Sequence, residues 1–89
     1  MSYKVAWHED ALEDLLRLDK ARAREIVGKA DGYLSEDPLA MGKPMKGLFH
    51  GLFHYRCGDY RVIYSIDRKE ELLNVVTVGH RKDVYRRTR

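Results

Sequence analysis

The chain has 89 residues, which suffices for one domain with a single hydrophobic core and is too short for two. Hydrophobic residues make up 44% and charged residues 35% of the chain, a balance that excludes an intrinsically disordered protein. The net charge of +3 is divided unequally, since residues 1–37 carry six Lys and Arg against nine Asp and Glu, and residues 38–89 carry eleven against five. A basic second half suits a polyanion such as nucleic acid, and it equally suits an ordinary solvated surface.

The number of cysteines and the hydropathy of the chain indicate where in the cell the protein is expected. Cys57 is the only cysteine, so an internal disulfide is excluded, and the reduced cytoplasm is the expected location. No apolar run approaches the roughly 18 to 20 residues that span a bilayer, and the first ten residues have no signal-peptide core. We expect no membrane association.

The first third of the chain predicts one strand and two helices. Residues 2–8 alternate in polarity, with a strand's period of two, at Tyr3, Val5 and Trp7. A helix is predicted from Glu9 to about Leu18, with a buried stripe formed by Leu12, Leu15 and Leu16. A second helix, capped by Asp19, should stop before Asp37, because Pro38 disfavours helical backbone at the residue before it.

The remainder predicts a loop followed by three strands. Residues 38–51 contain two prolines and three glycines and show no period, which indicates a connecting loop. Strand signals follow at 52–57, 60–67 and 72–78 with short turns between them, so these strands should pair antiparallel. We therefore predict a single α+β domain over residues 1–89, with a mainly antiparallel sheet of about four strands in the order β-α-α-β-β-β. The αα-hairpin should pack on one sheet face and leave the other possibly open.

Strand alternation sorts the side chains between the two faces of this sheet. On the strand 60–67, the core face is predicted to carry Tyr60, Val62, Tyr64 and Ile66, whereas Arg61, Ile63 and Ser65 point the other way. On the strand 52–57, the core face carries Phe53, Tyr55 and Cys57. The uncovered face should therefore bring together His54, Arg56 and Arg61, with Arg81 and the basic tail nearby.

Several kinds of site are disfavoured by spacing. His50 and His54 would lie about 13 Å apart on an extended chain, too far to ligate one metal ion. The stretch GKPMKG does not match a phosphate-binding P-loop. Cys57 on the core face is better explained as core filler than as a nucleophile. We expect no metal and no cofactor.

A set of cations interleaved with aromatic and imidazole groups remains as the candidate chemistry. Its members are His54, Arg56, Arg61, His80, Arg81, Tyr85, Arg86 and Arg87. Arginine suits phosphate, histidine transfers protons near neutral pH, and tyrosine stacks on bases or exchanges a proton. Such a set can bind RNA, or cleave it with a base for the 2′-hydroxyl, fixed positive charge at the phosphate and an acid for the 5′-oxygen. The residues alone do not decide between binding and cleavage.

The stretches GDYRVIY, KPMKGLFHGLFHYR and LLNVVTVGHRKDVYRR resemble the RelE/ParE toxin superfamily, and most closely its RelE branch. The resemblance covers nearly the whole chain. It implies a toxin of a type II toxin–antitoxin system: a ribosome-dependent endoribonuclease that enters the ribosomal A site, cleaves mRNA by 2′-hydroxyl attack with acid–base catalysis and no metal, and inhibits translation.

The resemblance also implies roles for individual residues. Arg61 stabilises the scissile phosphate, Arg81 is a second catalytic arginine, and Tyr85 stacks on a base or transfers a proton. Leu52 and His54 stand where the well-studied relative has lysines, so the general base is His54 or Tyr85. We expect RNA contacts from Arg56, Lys46, His80, Lys82, Arg86 and Arg87.

The implied partners are a cognate antitoxin, in a hetero-oligomeric complex, together with the ribosome and mRNA. Two alternatives stay open: a ParE-like inhibitor of DNA gyrase with the same fold, and a noncatalytic RNA-binding module. The set Arg61, Arg81 and Tyr85 favours cleavage over gyrase inhibition.

Overall fold

The structure is a computed structural model that describes residues 2–82 and Val84. Its helices and strands are β1 Lys4–Trp7, α1 Glu9–Arg17, α2 Lys20–Gly32, α3 Pro38–Met41, β2 Lys43–Pro44, β3 Phe53–Cys57, β4 Tyr60–Asp67 and β5 Leu72–His80. Short 3-10 turns occupy Leu34–Glu36 and Gly47–Phe49. Within these described residues, no helix combines the length and the apolar character that crossing a bilayer requires.

The five strands form one sheet in the order β1-β5-β4-β3-β2. β1 pairs in parallel with β5, and every other neighbouring pair is antiparallel. The predicted α+β class, with a helical hairpin after the first strand, is confirmed. The predicted strand count of about four was one too low, because β2 has only two residues and shows no periodic signal in the sequence.

The segment predicted as a plain loop, residues 38–51, contains regular structure. Asp37 caps α3 by accepting a hydrogen bond from the Ala40 amide at 3.3 Å, and Pro38 occupies the first turn, where its missing N–H has no cost. The second helix also ends earlier than predicted, at Gly32, where glycine lowers helix propensity. These short elements bring β2 against the edge of β3.

The core lies between the sheet and the two long helices. Val62 and Tyr64 of β4 pack there with Leu73, Val75 and Val78 of β5, and α1 and α2 contribute Ala11 and Ile26. Cys57 is also buried in this cluster, as the alternation of β3 predicted. The buried face of β4 thus carries the predicted apolar residues at its centre.

One residue on the opposite face of β4 departs from the prediction of an open surface. Ile63 is fully buried, so this face is not uncovered along its whole length. The register also shifts beside it: Ile63 pairs with Thr77 and Tyr64 pairs with Val75, which leaves Val76 as an extra residue in β5. A bulge of this kind increases the local twist, and strand alternation in the sequence does not reveal it.

The buried face of α1 was predicted only in part, since Leu15 packs against the core but the other two leucines of the predicted stripe do not. Leu12 is 49% exposed and Leu16 is 85% exposed, whereas Ala11 and Asp14 are buried. The Asp14 carboxylate accepts hydrogen bonds from the Thr77 hydroxyl at 2.7 Å and from the Val78 amide at 3.0 Å. Because a buried carboxylate requires such partners, the helix turns Asp14 toward β5 and leaves two leucines on the surface.

Candidate active site

Three predicted site residues meet on the sheet face opposite the helices. Arg56 of β3 is the direct cross-strand partner of Arg61 on β4, and His54 pairs with Ile63, which lies two residues further along β4. Cross-strand partners share a face, and so do residues two apart on one strand. The three side chains line an open cleft of about 200 Å³, whose walls are Met41, Lys43, His54, Tyr55, Arg56 and Arg61.

Arg61 is held by the backbone next to it. Its Nη1 donates to the Tyr60 carbonyl at 3.2 Å and, more weakly, to the Gly58 carbonyl at 3.4 Å. Across residues 2–82 and Val84, no carboxylate lies within ion-pair distance of Arg61 or Arg56. The cleft therefore has uncompensated positive charge on two adjacent strands, an arrangement that favours an anionic ligand.

Among the described residues that line this cleft, His54 is the one with an imidazole. Burial, together with the positive charges of Arg61 and Lys43, lowers the pKa of His54 below its ordinary value. Its Nδ1 is buried and has no hydrogen-bond partner among the described residues. An imidazole that is neutral at pH 7 beside fixed cations is able to accept a proton from a ligand held by those cations.

The predicted residue His80 lies at the end of β5, next to the start of β4. His80 is the cross-strand partner of Tyr60, and their rings meet edge to face with centroids 5.7 Å apart. The Arg22 guanidinium lies 5.4 Å from the centroid of the same Tyr60 ring. Tyr60, His80 and Arg22 therefore contact one another. None of these three residues lines the cleft.

The remaining predicted residues lie outside the cleft or outside the described chain. Arg81 and Lys82 are exposed in the turn after β5: the Arg81 amide donates to the Asp59 carbonyl at 2.9 Å, and the Lys82 amide donates to His80 Nδ1 at 3.2 Å. Lys46 is exposed just before the second 3-10 turn. The predictions for Tyr85, Arg86 and Arg87 fall outside the described residues.

Lys43 was not predicted as a site residue. This residue is the cross-strand partner of His54 and lines the cleft from β2. It precedes Pro44 in a stretch without periodicity, so the pattern gave no reason to place it on a strand. Pro44, at the second position of β2, is compatible with an edge strand. This proline was the one sequence signal that could have indicated a strand here.

Other reactive groups do not extend this site. Burial, and next the negative charge of Glu25, raise the pKa of the Cys57 thiol, which keeps it protonated in the core. No three His, Cys, Asp or Glu side chains come together in the described part of the chain as a group that could hold a metal ion. The described residues of the cleft instead offer cations and an imidazole.

Comparison with known proteins gives consistent results. Residues 5–85 match the model of the family described as ParE toxin of type II toxin-antitoxin system, parDE. Toxin RelG of Mycobacterium tuberculosis is 38% identical over 87 residues, which cover 98% of this chain and 100% of RelG. Toxin RelE of the same organism is 36% identical over 84 residues, covering 94% of this chain and 87% of that toxin.

A solved structure shares both fold and sequence. In the crystal structure of the toxin–antitoxin complex RelBE2 from Mycobacterium tuberculosis, the matching chain superposes with a TM-score of 0.87 and 34% identity. The match covers 91% of this chain and 100% of that chain. The likeness in fold therefore extends over most of this chain.

Proposed function

Because this chain belongs to the RelE/ParE superfamily of type II toxin–antitoxin toxins, we propose that it is a ribosome-dependent endoribonuclease that cuts mRNA in the ribosomal A site. One observation in this chain itself supports RNA cleavage: His54, whose pKa is lowered, lies in one cleft with Arg56 and Arg61. A gyrase inhibitor or an RNA-binding module has no need of a neutral imidazole beside a phosphate site. The protein acts where ribosomes are, in the cytoplasm.

The proposed reaction is a transesterification within the RNA. His54 accepts the proton of the 2′-hydroxyl, whose oxygen forms a bond to phosphorus as the bond from phosphorus to the 5′-oxygen breaks. Arg61, with Arg56 opposite it, stabilises the negative charge that builds on the phosphate oxygens. A proton from solvent, delivered to the departing 5′-oxygen, completes the step and leaves a 2′,3′-cyclic phosphate and a 5′-hydroxyl. Tyr85 is the alternative proton-transfer group, and Arg81 is the second proposed catalytic arginine.

Outer contacts with RNA are proposed for basic residues that lie outside the cleft. Lys46 and Lys82 are solvent-exposed, and His80 is half-buried against Tyr60. Each is suited to a backbone phosphate of the mRNA or of ribosomal RNA and carries no base specificity. Arg86 and Arg87 complete the proposed set.

We also propose that a cognate antitoxin binds this protein in a hetero-oligomeric complex. The similar Mycobacterium tuberculosis structure is itself a toxin–antitoxin complex. In this chain, the outer surface of the helical hairpin exposes Leu16 beside a groove of about 440 Å³ lined by Leu15, Leu16, Leu18, Asp19, Lys20, Ala23 and Arg24. Exposed apolar surface rimmed by charge is typical of a protein–protein interface, and it suits an amphipathic antitoxin segment.

The proposal is tested by Arg61→Ala with Arg68→Ala as the matched control. Arg68 is exposed in the turn after β4, seven residues from Arg61 along the chain. Removing a donor that stabilises transition-state charge typically costs about 10² to 10³ in rate. We expect that loss for Arg61→Ala in single-turnover cleavage on programmed ribosomes, and no loss for Arg68→Ala. Circular dichroism should show that both variants fold, since Arg61 packs no core residue.

Mapping of mRNA ends separates the proposed function from its alternatives. Primer extension after brief induction should reveal new 5′ ends at codon boundaries in translated messages. Growth arrest without such ends, together with loss of DNA supercoiling activity, would favour gyrase inhibition. RNA binding without new ends would favour the noncatalytic module.

A further inference from the structure

We propose that Lys43 is a further catalytic residue of the cleft, which binds the scissile phosphate from the side opposite Arg61. The inference rests on the nuclease function proposed above. It concerns a residue that lies outside the arginine, histidine and tyrosine set on which that function depends.

The sheet order places Lys43 directly beside the imidazole. β2, β3 and β4 are adjacent strands, and Lys43 is the cross-strand partner of His54 in the β2–β3 pair. The Cβ atoms of such partners lie about 4.5–5.5 Å apart. His54 therefore has Lys43 opposite it on β2 and Ile63 opposite it on β4, and the Arg56–Arg61 pair is the next pair along the same sheet face. An ammonium beside the imidazole and guanidiniums further along the same cleft can contact different oxygens of one phosphate.

A two-residue strand would not hold this position without support, and Tyr64 provides it. The Tyr64 ring is fully buried and stacks on Phe53 with centroids 5.6 Å apart. Its hydroxyl donates to the Pro38 carbonyl at 2.7 Å, which ties the segment before β2 to the sheet. Burial raises the pKa of Tyr64 well above its ordinary value, so the donor stays protonated.

Gly42, immediately before Lys43, fits under this hydroxyl because it has no side chain. A Cβ at this position would overlap the Tyr64 hydroxyl and lie 2.9 Å from the His54 carbonyl oxygen. The backbone that carries Lys43 is therefore packed against the backbone of His54 itself. The Lys43 residue is exposed, whereas the backbone just before it is tightly packed.

The charges that face His54 come from all three strands: Lys43 from β2, Arg56 from its own strand and Arg61 from β4. Burial first, then Arg61 and Lys43, lower the pKa of His54. Lys43 therefore has two effects. It attracts the phosphate, and it helps to keep the imidazole in the neutral form that accepts a proton.

The test compares Lys43→Gln with Lys43→Arg and with Lys69→Gln. Lys69 is an exposed lysine in the turn after β4, at the far end of the strand from Arg61. In single-turnover cleavage on programmed ribosomes, we expect Lys43→Gln to lose about tenfold to a hundredfold, the range for one charge-assisted contact to a reacting phosphate. Lys43→Arg should recover most of the rate, and Lys69→Gln should match the wild type.

A titration of His54 by NMR, without ribosomes, checks the juxtaposition independently. The pKa of His54 should rise in Lys43→Gln and stay unchanged in Lys69→Gln. Wild-type cleavage that is retained within about twofold in Lys43→Gln, or a His54 pKa that does not move, would overturn the role of Lys43 and leave the proposed function standing. A wild-type protein that cuts no mRNA would overturn the proposed function itself.

Discussion

Substituting Gly42 by alanine should damage both the stability of the fold and the cleft. The new methyl group would overlap the Tyr64 hydroxyl and crowd the His54 carbonyl oxygen at 2.9 Å. Overpacking of this kind typically costs about 1–3 kcal/mol. If Tyr64 moves away to make room, the buried hydrogen bond to Pro38 is lost as well, at about another 1–2 kcal/mol. We expect the free energy of unfolding to fall by about 2–5 kcal/mol.

Gly28→Ala provides a control of opposite sign. Gly28 lies inside α2, is exposed, and has no atom within 4 Å of the position of an added Cβ. Alanine there should raise the free energy of unfolding by up to about 1 kcal/mol, because glycine is the poorer helix former. Urea unfolding followed by circular dichroism measures both changes.

A double-mutant cycle locates the cause of the Gly42→Ala effect. Tyr64→Phe removes the overlapping oxygen, so Gly42→Ala should cost less in the Tyr64→Phe background than in the wild type. The ring carbon that bears the hydroxyl would still lie 2.8 Å from the new methyl group, so the relief should be partial. A loss below about 1 kcal/mol for Gly42→Ala in the wild type, or strict additivity with Tyr64→Phe, would refute the reasoning.

Three further outcomes follow from the described residues. Burial, Arg61 and Lys43 lower the pKa of His54 in the folded state. The contribution of His54 to the free energy of unfolding is therefore full above about pH 6.5, and it is lost as the pH falls through the folded-state pKa. The stability difference between wild type and His54→Gln in urea should therefore shrink from pH 7.5 to 5, and a pH-independent difference would argue against a depressed pKa. The Cys57 thiol, whose pKa burial raises, should react with a thiol reagent at pH 8 only as fast as the protein unfolds, so rapid labelling of the native protein would contradict its burial. Leu16→Ser should keep the free energy of unfolding within about 0.5 kcal/mol of the wild type, yet weaken antitoxin binding, measured by calorimetry, by about tenfold or more. Leu48→Ser, which changes another highly exposed leucine, should alter neither quantity.

Strand alternation was sufficient to place the central part of the site. The period of two on β3 and β4 put His54, Arg56 and Arg61 on one face, and the register of the β3–β4 pair agrees with it. That inference worked because both strands are long enough to show a period and are joined by a short turn, which fixes their pairing.

Features that depend on distant parts of the chain were not predictable in this way. The orientation of α1 is set by Asp14, whose partners Thr77 and Val78 lie more than 60 residues away. Apolar periodicity favoured the leucines as the buried face, since no local signal identifies a carboxylate that will meet a bulged strand. Lys43 was missed for the same reason: its place depends on a contact between Gly42 and Tyr64, not on the pattern around it.

The arrangement of charge in the cleft bears on whether the basic half of the chain is a mere solvated surface. Arg56 and Arg61 are direct cross-strand partners, and like charges in such positions typically destabilise a sheet by a few tenths of a kcal/mol to about 1 kcal/mol. Lys43 adds a third cation next to His54, again without a carboxylate within ion-pair distance among the described residues. A surface selected only for solubility would intersperse charges of both signs, as the helices do with Arg22 and Glu25 at 2.6 Å. An anion bound between these side chains would relieve the repulsion that persists in the free protein, so the clustering itself favours an anion-binding cleft over a solvated face.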